Sequence, residues 1–547
     1  MSYHLERLDN GVRILTAPIE SAQSVTCAIM LAAGSRYETP ETNGIAHFAE
    51  HMFFKGTEKR PTARDISMEI DAIGGEFNAF TGKEYTGYYV KCAAESRDVA
   101  LDVLVDMLRN STFAEGEIER EKGVIIEEMN MYFDTPRDFI GGVYEELLYG
   151  DQPLGWDIIG RKETVRGAKH ETFRSYLDAW YKPNRMVVGI GGNLGDDLHD
   201  RIAALLGDLP EAQTGEPTSI DVGTNGTPRV KLHTKQSDQA HICLGVHSYP
   251  LDHPDRYPLQ ILATILGGGM SSRLFTEVRE RRGLAYYVFG INHSYTDAGS
   301  LFAQAGVDIN RIDDAVSTVA TELRKVADEP IPAAELEKAR SFAKGRFVLQ
   351  LESPQGLIMF GLRREVLEGA TPNPEEILAE LDKVTADDVQ RVARDLIESN
   401  GLNRPREGLA VGTGARRARG LRRRQERALD VDDDLHERDL DQRQHEHNGN
   451  DGTEGRHARP LPLSADPRHQ LHAELCRLRR RGGQEARLLR VHARPTEQRR
   501  LDARLPGDRP TARPDPAADE ALHGAGRQGL REQALGPSRV SDPLLRV

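Results

Sequence analysis

The sequence predicts an α+β protein made of two homologous domains, each a mixed or antiparallel sheet with helices. Strands alternate with long amphipathic helices over the first 400 residues, and they do so twice. A polar stretch rich in Gly, Pro and Thr, EAQTGEPTSIDVGTNGTPR, separates the two runs. At 547 residues the chain is also too long for one hydrophobic core. These observations divide it into a first domain over 1–210, a linker over 211–229, a second domain over 230–400 and a tail over 401–547.

The elements follow in order. MSYHLERLDNGVRILTA alternates apolar and polar residues around an Asn10-Gly11 turn, so it reads as a hairpin. VTCAIMLAAGSRYET is a strand followed by a loop, and the helix carrying HFAEH comes next, with Thr42 or Asn43 as its expected N-cap. In the second half AHICLGVHSYPLDHPDRY is again strand and loop, and LQILATILGG is again a helix. From Gly401 onward there is no Lys, Ile, Phe, Tyr, Trp or Met. Such a composition cannot bury enough apolar surface to offset chain ordering, so the tail reads as disordered or as isolated helices, or else as a frame-shifted translation beyond about Asn403. Its HEHNGND tract, residues 445–451, reads as a solvated polar run.

Composition excludes several classes of function. A formal charge of −14, with no basic stripe in the first 400 residues, argues against nucleic acid as a partner. Four scattered cysteines, Cys27, Cys92, Cys243 and Cys476, suggest neither a disulfide framework nor a thiolate metal site, which fits a reducing, cytoplasmic setting. The N-terminus has no apolar leader core, and no apolar run approaches the length of a membrane span, so no membrane is expected.

HFAEHMFFKGT, residues 47–57, carries the chemistry. On a helix, His47 and His51 project from one face a turn apart and can reach one ion. Glu50 lies at the rim of that face, where its carboxylate can take a proton from an activated water. Imidazole ligands without thiolate suit zinc at a catalytic site that leaves one position for water. Two histidines also occur on ordinary polar helix turns, so a third ligand decides the matter. The acid-rich helical stretch EGEIEREKGVIIEEMNMYFD, residues 115–134, places Glu121 and Glu128 two turns apart on one face. Glu128 can complete the ligand set with Glu121 behind it as an orienting partner.

With these motifs in order, residues 4–400 resemble the pitrilysin, insulinase and mitochondrial processing peptidase family. The family pattern is HxxEH followed by a glutamate ligand about 75 residues later. Here HFAEHMFFKGT, GGEFNAFTGKEYTGYY and EREKGVIIEEM stand in that order and spacing. The resemblance implies one zinc per chain held by His47, His51 and Glu128, with Glu127 the local competitor for the third position. It implies Glu50 as catalytic base and Glu121 as its supporting glutamate. It also implies that Phe77, Asn78, Ala79 and Phe80 form an edge strand on which an extended peptide adds.

The second half has LATILGGG where HxxEH would stand, so no metal is expected there. Its RERRGLAYYVFG resembles the family's arginine and tyrosine pair, which falls on Arg279 and Tyr286, with Arg281 and Arg282 competing for the arginine role. Such donors stabilise an oxyanion. LGGGMSSRLF resembles the glycine-rich loop of the processing peptidases and lacks the pattern of a phosphate cradle. The implied activity is zinc-dependent endopeptidase cleavage of peptides or unfolded polypeptide. Larger members join four such domains, so a two-domain chain is expected to form a homodimer. A non-catalytic partner subunit and a cofactor-biosynthesis peptidase are the alternatives.

Overall fold

A computed structural model of the chain describes residues 2–195, 197–222, 230–235, 237–371, 373–399 and 409–413. The expectations for the tail beyond residue 413, HEHNGND among them, lie outside the described residues.

The first lobe holds strands β1 (His4–Arg7), β2 (Arg13–Pro18), β3 (Ser24–Leu31), β4 (Glu76–Thr81), β5 (Thr86–Ala93) and β6 (Met186–Gly192). Its helices are α1 (Ile45–Phe53), α2 (Ala63–Ala72), α3 (Arg97–Asn110), α4 (Glu115–Asp134), α5 (Pro136–Tyr149), α6 (Lys162–Gly167), α7 (His170–Trp180) and α8 (Leu198–Leu206). The second lobe holds β7 (Val230–His233), β8 (Ala240–Ser248), β9 (Ala285–Ser294), β10 (Gly299–Val307) and β11 (Leu409–Thr413). Its helices are α9 (Arg256–Gly267), α10 (Ile312–Asp328), α11 (Ala333–Gln350), α12 (Pro354–Glu368), α13 (Pro374–Lys383) and α14 (Ala386–Ser399).

The first sheet runs β1-β2-β6-β3-β5-β4 and the second β7-β11-β8-β10-β9. Each contains one parallel pair, β2 with β6 and β7 with β11, and is otherwise antiparallel. The second sheet therefore repeats the first without β1. β11 takes the place of β6: Ala410 pairs with Val230 on one side and with Leu244 on the other. The second sheet thus extends past the boundary at residue 400 that composition suggests.

The lobes exchange helices. One face of the first sheet, with Ile14, Cys27, Ile29 and Tyr88, packs on the first lobe's own helices. The opposite face, with Leu15, Ala28, Met30 and Val187, joins Leu357, Ile358 and Leu362 of α12. Gly189 and Gly191 let α12 approach, since a Cβ there would stand 2.6 Å from the Leu362 side chain and from the Pro354 carbonyl oxygen. In return α5 lays Ile140, Val143 and Tyr144 against Cys243 and Phe302 of the second sheet. A buried ion cluster adds to the junction: Arg36, 2% exposed, meets Glu84 at 2.6 Å and Asp297 at 2.5 Å.

Helix α1 starts differently from the expectation. Neither Thr42 nor Asn43 caps it; its N-cap is Gly44, at φ +97°, with no side chain to offer. Glu38 does the work from outside the helix. Its carboxylate accepts from the backbone N–H groups of Gly44 and Ala46, at 2.8 Å each, and from Asn43 Nδ2 at 3.0 Å. A carboxyl placed at a helix N-terminus satisfies N–H groups of the first turn that have no partner within the helix.

Candidate metal centre

The spacing of HxxEH becomes geometry on α1. His47 and His51, each 5% exposed, bring their rings to 4.6 Å between centroids. α4 crosses α1 and delivers Glu128, whose Oε2 stands 3.8 Å from His47 Nε2 and 3.5 Å from His51 Nε2. One ligand atom from each of the three residues can be chosen so that all lie within 4.8 Å of one another. His51 Nε2 and Glu128 Oε2 are buried and have no hydrogen-bond partner among the described residues. Buried polar atoms are rarely left so, because the desolvation cost is not recovered. A cation among them would satisfy both, and two imidazoles with one carboxylate are a donor set suited to zinc. The residues fit the metal.

Supporting contacts aim the ligands. His51 Nδ1 lies 2.9 Å from Glu121 Oε1, and Lys55 Nζ holds Glu121 Oε2 at 2.6 Å. Burial pushes the Glu121 carboxyl up, but the hydrogen bonds from His51 and Lys55 outweigh it and the group sits below its ordinary value. Glu121 is thus a lasting acceptor that selects the His51 tautomer with Nε2 free. His47 is pushed well below the usual imidazole range by burial and then by His51, so it is neutral and able to ligate. Burial also raises Glu128.

Glu50 is 7% exposed, and burial pushes its carboxyl up to about 7. Thr81 Oγ1, at the end of β4, donates to its Oε2 at 2.5 Å. A carboxyl poised near neutrality beside the ligand cluster is suited to accept and then release a proton. β4 is one of the two edge strands of the first sheet among the described residues. It carries Phe77, Asn78, Ala79 and Phe80, and Phe77 packs in a tilted arrangement, 5.5 Å between centroids, on Phe54, just after α1.

The structure also brings Arg279 and Tyr286 together, with the guanidinium 5.5 Å from the phenol ring and 4.9 Å from the ring of Phe275. All three belong to the second lobe, and Tyr286 is 72% exposed. Arg279 is 4.0 Å from Glu280, while Arg281 is occupied by Glu277 at 2.6 Å. Glu38, Lys55 and Thr81 escaped the sequence reading. Only Lys55 had a signal, its position one helical turn beyond His51.

Comparison with known proteins gives these residues a family. A model described as insulinase, peptidase family M16, matches residues 13–161, and one described as the peptidase M16 inactive domain matches residues 168–342. An uncharacterized zinc protease of Bacillus subtilis, YmxG, is 39% identical over 71% of this chain and 94% of its own length. An uncharacterized zinc protease of Streptomyces coelicolor is 36% identical over 71% of this chain and 86% of its own. Among solved structures, a protease from Helicobacter pylori superposes with a TM-score of 0.70 at 20% identity, covering 76% of this chain and 99% of the other. The chain therefore belongs to the insulinase family of zinc proteases, peptidase family M16.

Proposed function

We propose that the protein is a zinc metalloendopeptidase acting on peptides or unfolded polypeptide segments in the cytoplasm, with one zinc per chain. The convergence of His47, His51 and Glu128, with buried ligand atoms that lack any other partner, carries this reading. When bound, zinc polarises the scissile carbonyl and makes water acidic enough to act at neutral pH. Glu50 accepts the proton of the attacking water and passes it to the leaving amine. β4 binds the substrate as an added strand, which suits extended peptides of varied sequence because the pairing uses backbone groups. All four motif residues are present, which disfavours a purely structural partner subunit.

Glu50→Gln tests the reading. The variant should retain zinc, measured by elemental analysis, and lose turnover of a quenched peptide library by on the order of a hundredfold or more. Substantial turnover by the zinc-loaded variant would end the mechanism. His47→Ala or His51→Ala should instead lose the metal.

The active form on this reading is a homodimer in which Arg279 and Tyr286 of one chain face the zinc of the other and stabilise the oxyanion. The exposure of Tyr286, and the stacking that presents Arg279 beside it, support that assignment. Mixing Glu50→Gln chains with Arg279→Ala chains checks it. A shared site leaves one intact centre per mixed dimer, so activity should recover above both parents. Mixed dimers with only the activity of the Arg279→Ala parent would place the arginine in its own chain's site or in none.

A further inference from the structure

Between the lobes lies a second concavity of about 630 Å³, lined mainly by β9, α9, α11 and α12 and closed by residues of the first sheet. The internal repeat puts it where the metal centre stands in the first lobe. α9 follows β8 as α1 follows β3, and β9 is the outer strand of its sheet as β4 is of the first. α11 is the second long helix after the hairpin, as α4 is. Where α1 and α4 supply histidines and glutamates, α9 supplies Gln260 and Thr264, and α11 supplies Phe342 and Arg346. The cleft has been kept and its chemistry replaced.

The replacement is cationic. Arg256, Arg346, Arg363 and Arg364 line the cavity, with Glu368 its single carboxylate among the described residues. Glu368 is already shared between Arg256 at 2.9 Å and Arg364 at 2.8 Å. Arg346 and Arg363 have no ion pair among the described residues, and the Nε atoms of Arg363 and Arg364 are buried with no hydrogen-bond partner. Burial holds Arg364 below its ordinary value; Glu368 opposes this, while Arg256 and Arg363 add to it. Arg256, Arg363 and Arg364 are half-buried and Arg346 is exposed. Half-buried guanidiniums crowded together, in a protein of net charge −14, cost free energy unless an anion joins them. Planar guanidinium forks match the paired oxygens of a carboxylate or a phosphate, and the aromatic rings lining the same cavity, Phe289, Phe347 and Phe360, favour the carboxylate of a peptide. The volume is that of a site for a few residues.

We propose that this cavity is a carboxylate-recognition site for polypeptide. Arg346 and Arg363 grip an acidic side chain or a C-terminal carboxylate of a segment that lies away from the zinc. The proposal rests on the reading that the protein handles peptides, but its test needs no turnover. The full chain carrying Glu50→Gln is titrated into a fluorescently labelled extended peptide made in four versions, with Asp or Asn at one internal position and a free or amidated C-terminus. Anisotropy should show about tenfold weaker binding when the recognised carboxylate is removed, and the position that matters identifies its source. Arg346→Gln combined with Arg363→Gln should erase that difference and leave binding of the uncharged peptide unchanged. Equal binding of all four peptides by the parent overturns the proposal, as does a double variant that loses all four alike. Displacement by pyrophosphate with no carboxylate preference would assign the cavity to phosphate instead. Failure of the peptidase reading would appear separately, as no turnover in the wild-type chain.

Discussion

Glu121 and Glu128 lie on one helix with different duties, and the difference is testable. Glu128 offers an orphaned oxygen to the imidazoles, whereas Glu121 has both oxygens engaged, by His51 and Lys55. Glu121→Gln should leave the site assembled and weaken zinc about 10- to 100-fold in competition with a chelator, because only the orientation and basicity of His51 suffer. Glu128→Gln should weaken it far more, and Glu127→Gln, at an exposed position, should leave it unchanged. Equal losses at 127 and 128 would overturn the ligand assignment. Helical periodicity puts the two on one face, and the family resemblance picks Glu128 over Glu127 as the ligand. Thr81 was not legible, since a threonine on a strand is common and only packing brings it to Glu50; Lys55 showed only its place one turn beyond His51.

The helix that bears the histidines depends on an acid outside it. Glu38 satisfies the first turn of α1 from a loop, and burial pushes its carboxyl up to about 8 against the pull of its three donors. Glu38→Ala should cost about 1–3 kcal/mol, read as a lower urea midpoint with an unchanged slope. Loss of zinc affinity should follow, as the first turn carrying His47 frays. An unchanged midpoint would mean that water replaces the carboxylate without penalty. The strong local signals, HxxEH and the hairpin at Asn10-Gly11, were readable as elements; the cap was not, because its acceptor and its donors sit on separate segments. Gly44 itself is fixed by its positive φ and by the Gly160 Cα, which a Cβ at 44 would approach to 2.8 Å.

At the scale of the molecule, the duplication was legible as two alternations of strand and helix, but the last strand of the second copy was not. LAVGT lies inside a stretch whose overall composition hides five residues of strand. A chain ending at Ser399 lacks β11 and leaves β7 and β8 unpaired along facing edges, whereas one ending at Thr413 keeps both ladders. The shorter chain should melt several degrees lower and aggregate sooner on heating, as scanning calorimetry and light scattering would report. Equal melting would remove β11 from the second lobe.

The exchange of α5 and α12 also bears on how the chain came to be one molecule. Each half carries the helix that covers the other's sheet, so neither is a finished protein. That is the arrangement of two identical subunits that trade an arm, now tied head to tail. Expressed as separate polypeptides divided within residues 211–229, each half should be insoluble alone. Expressed together, they should recover each other without a covalent link, but not without the traded helices.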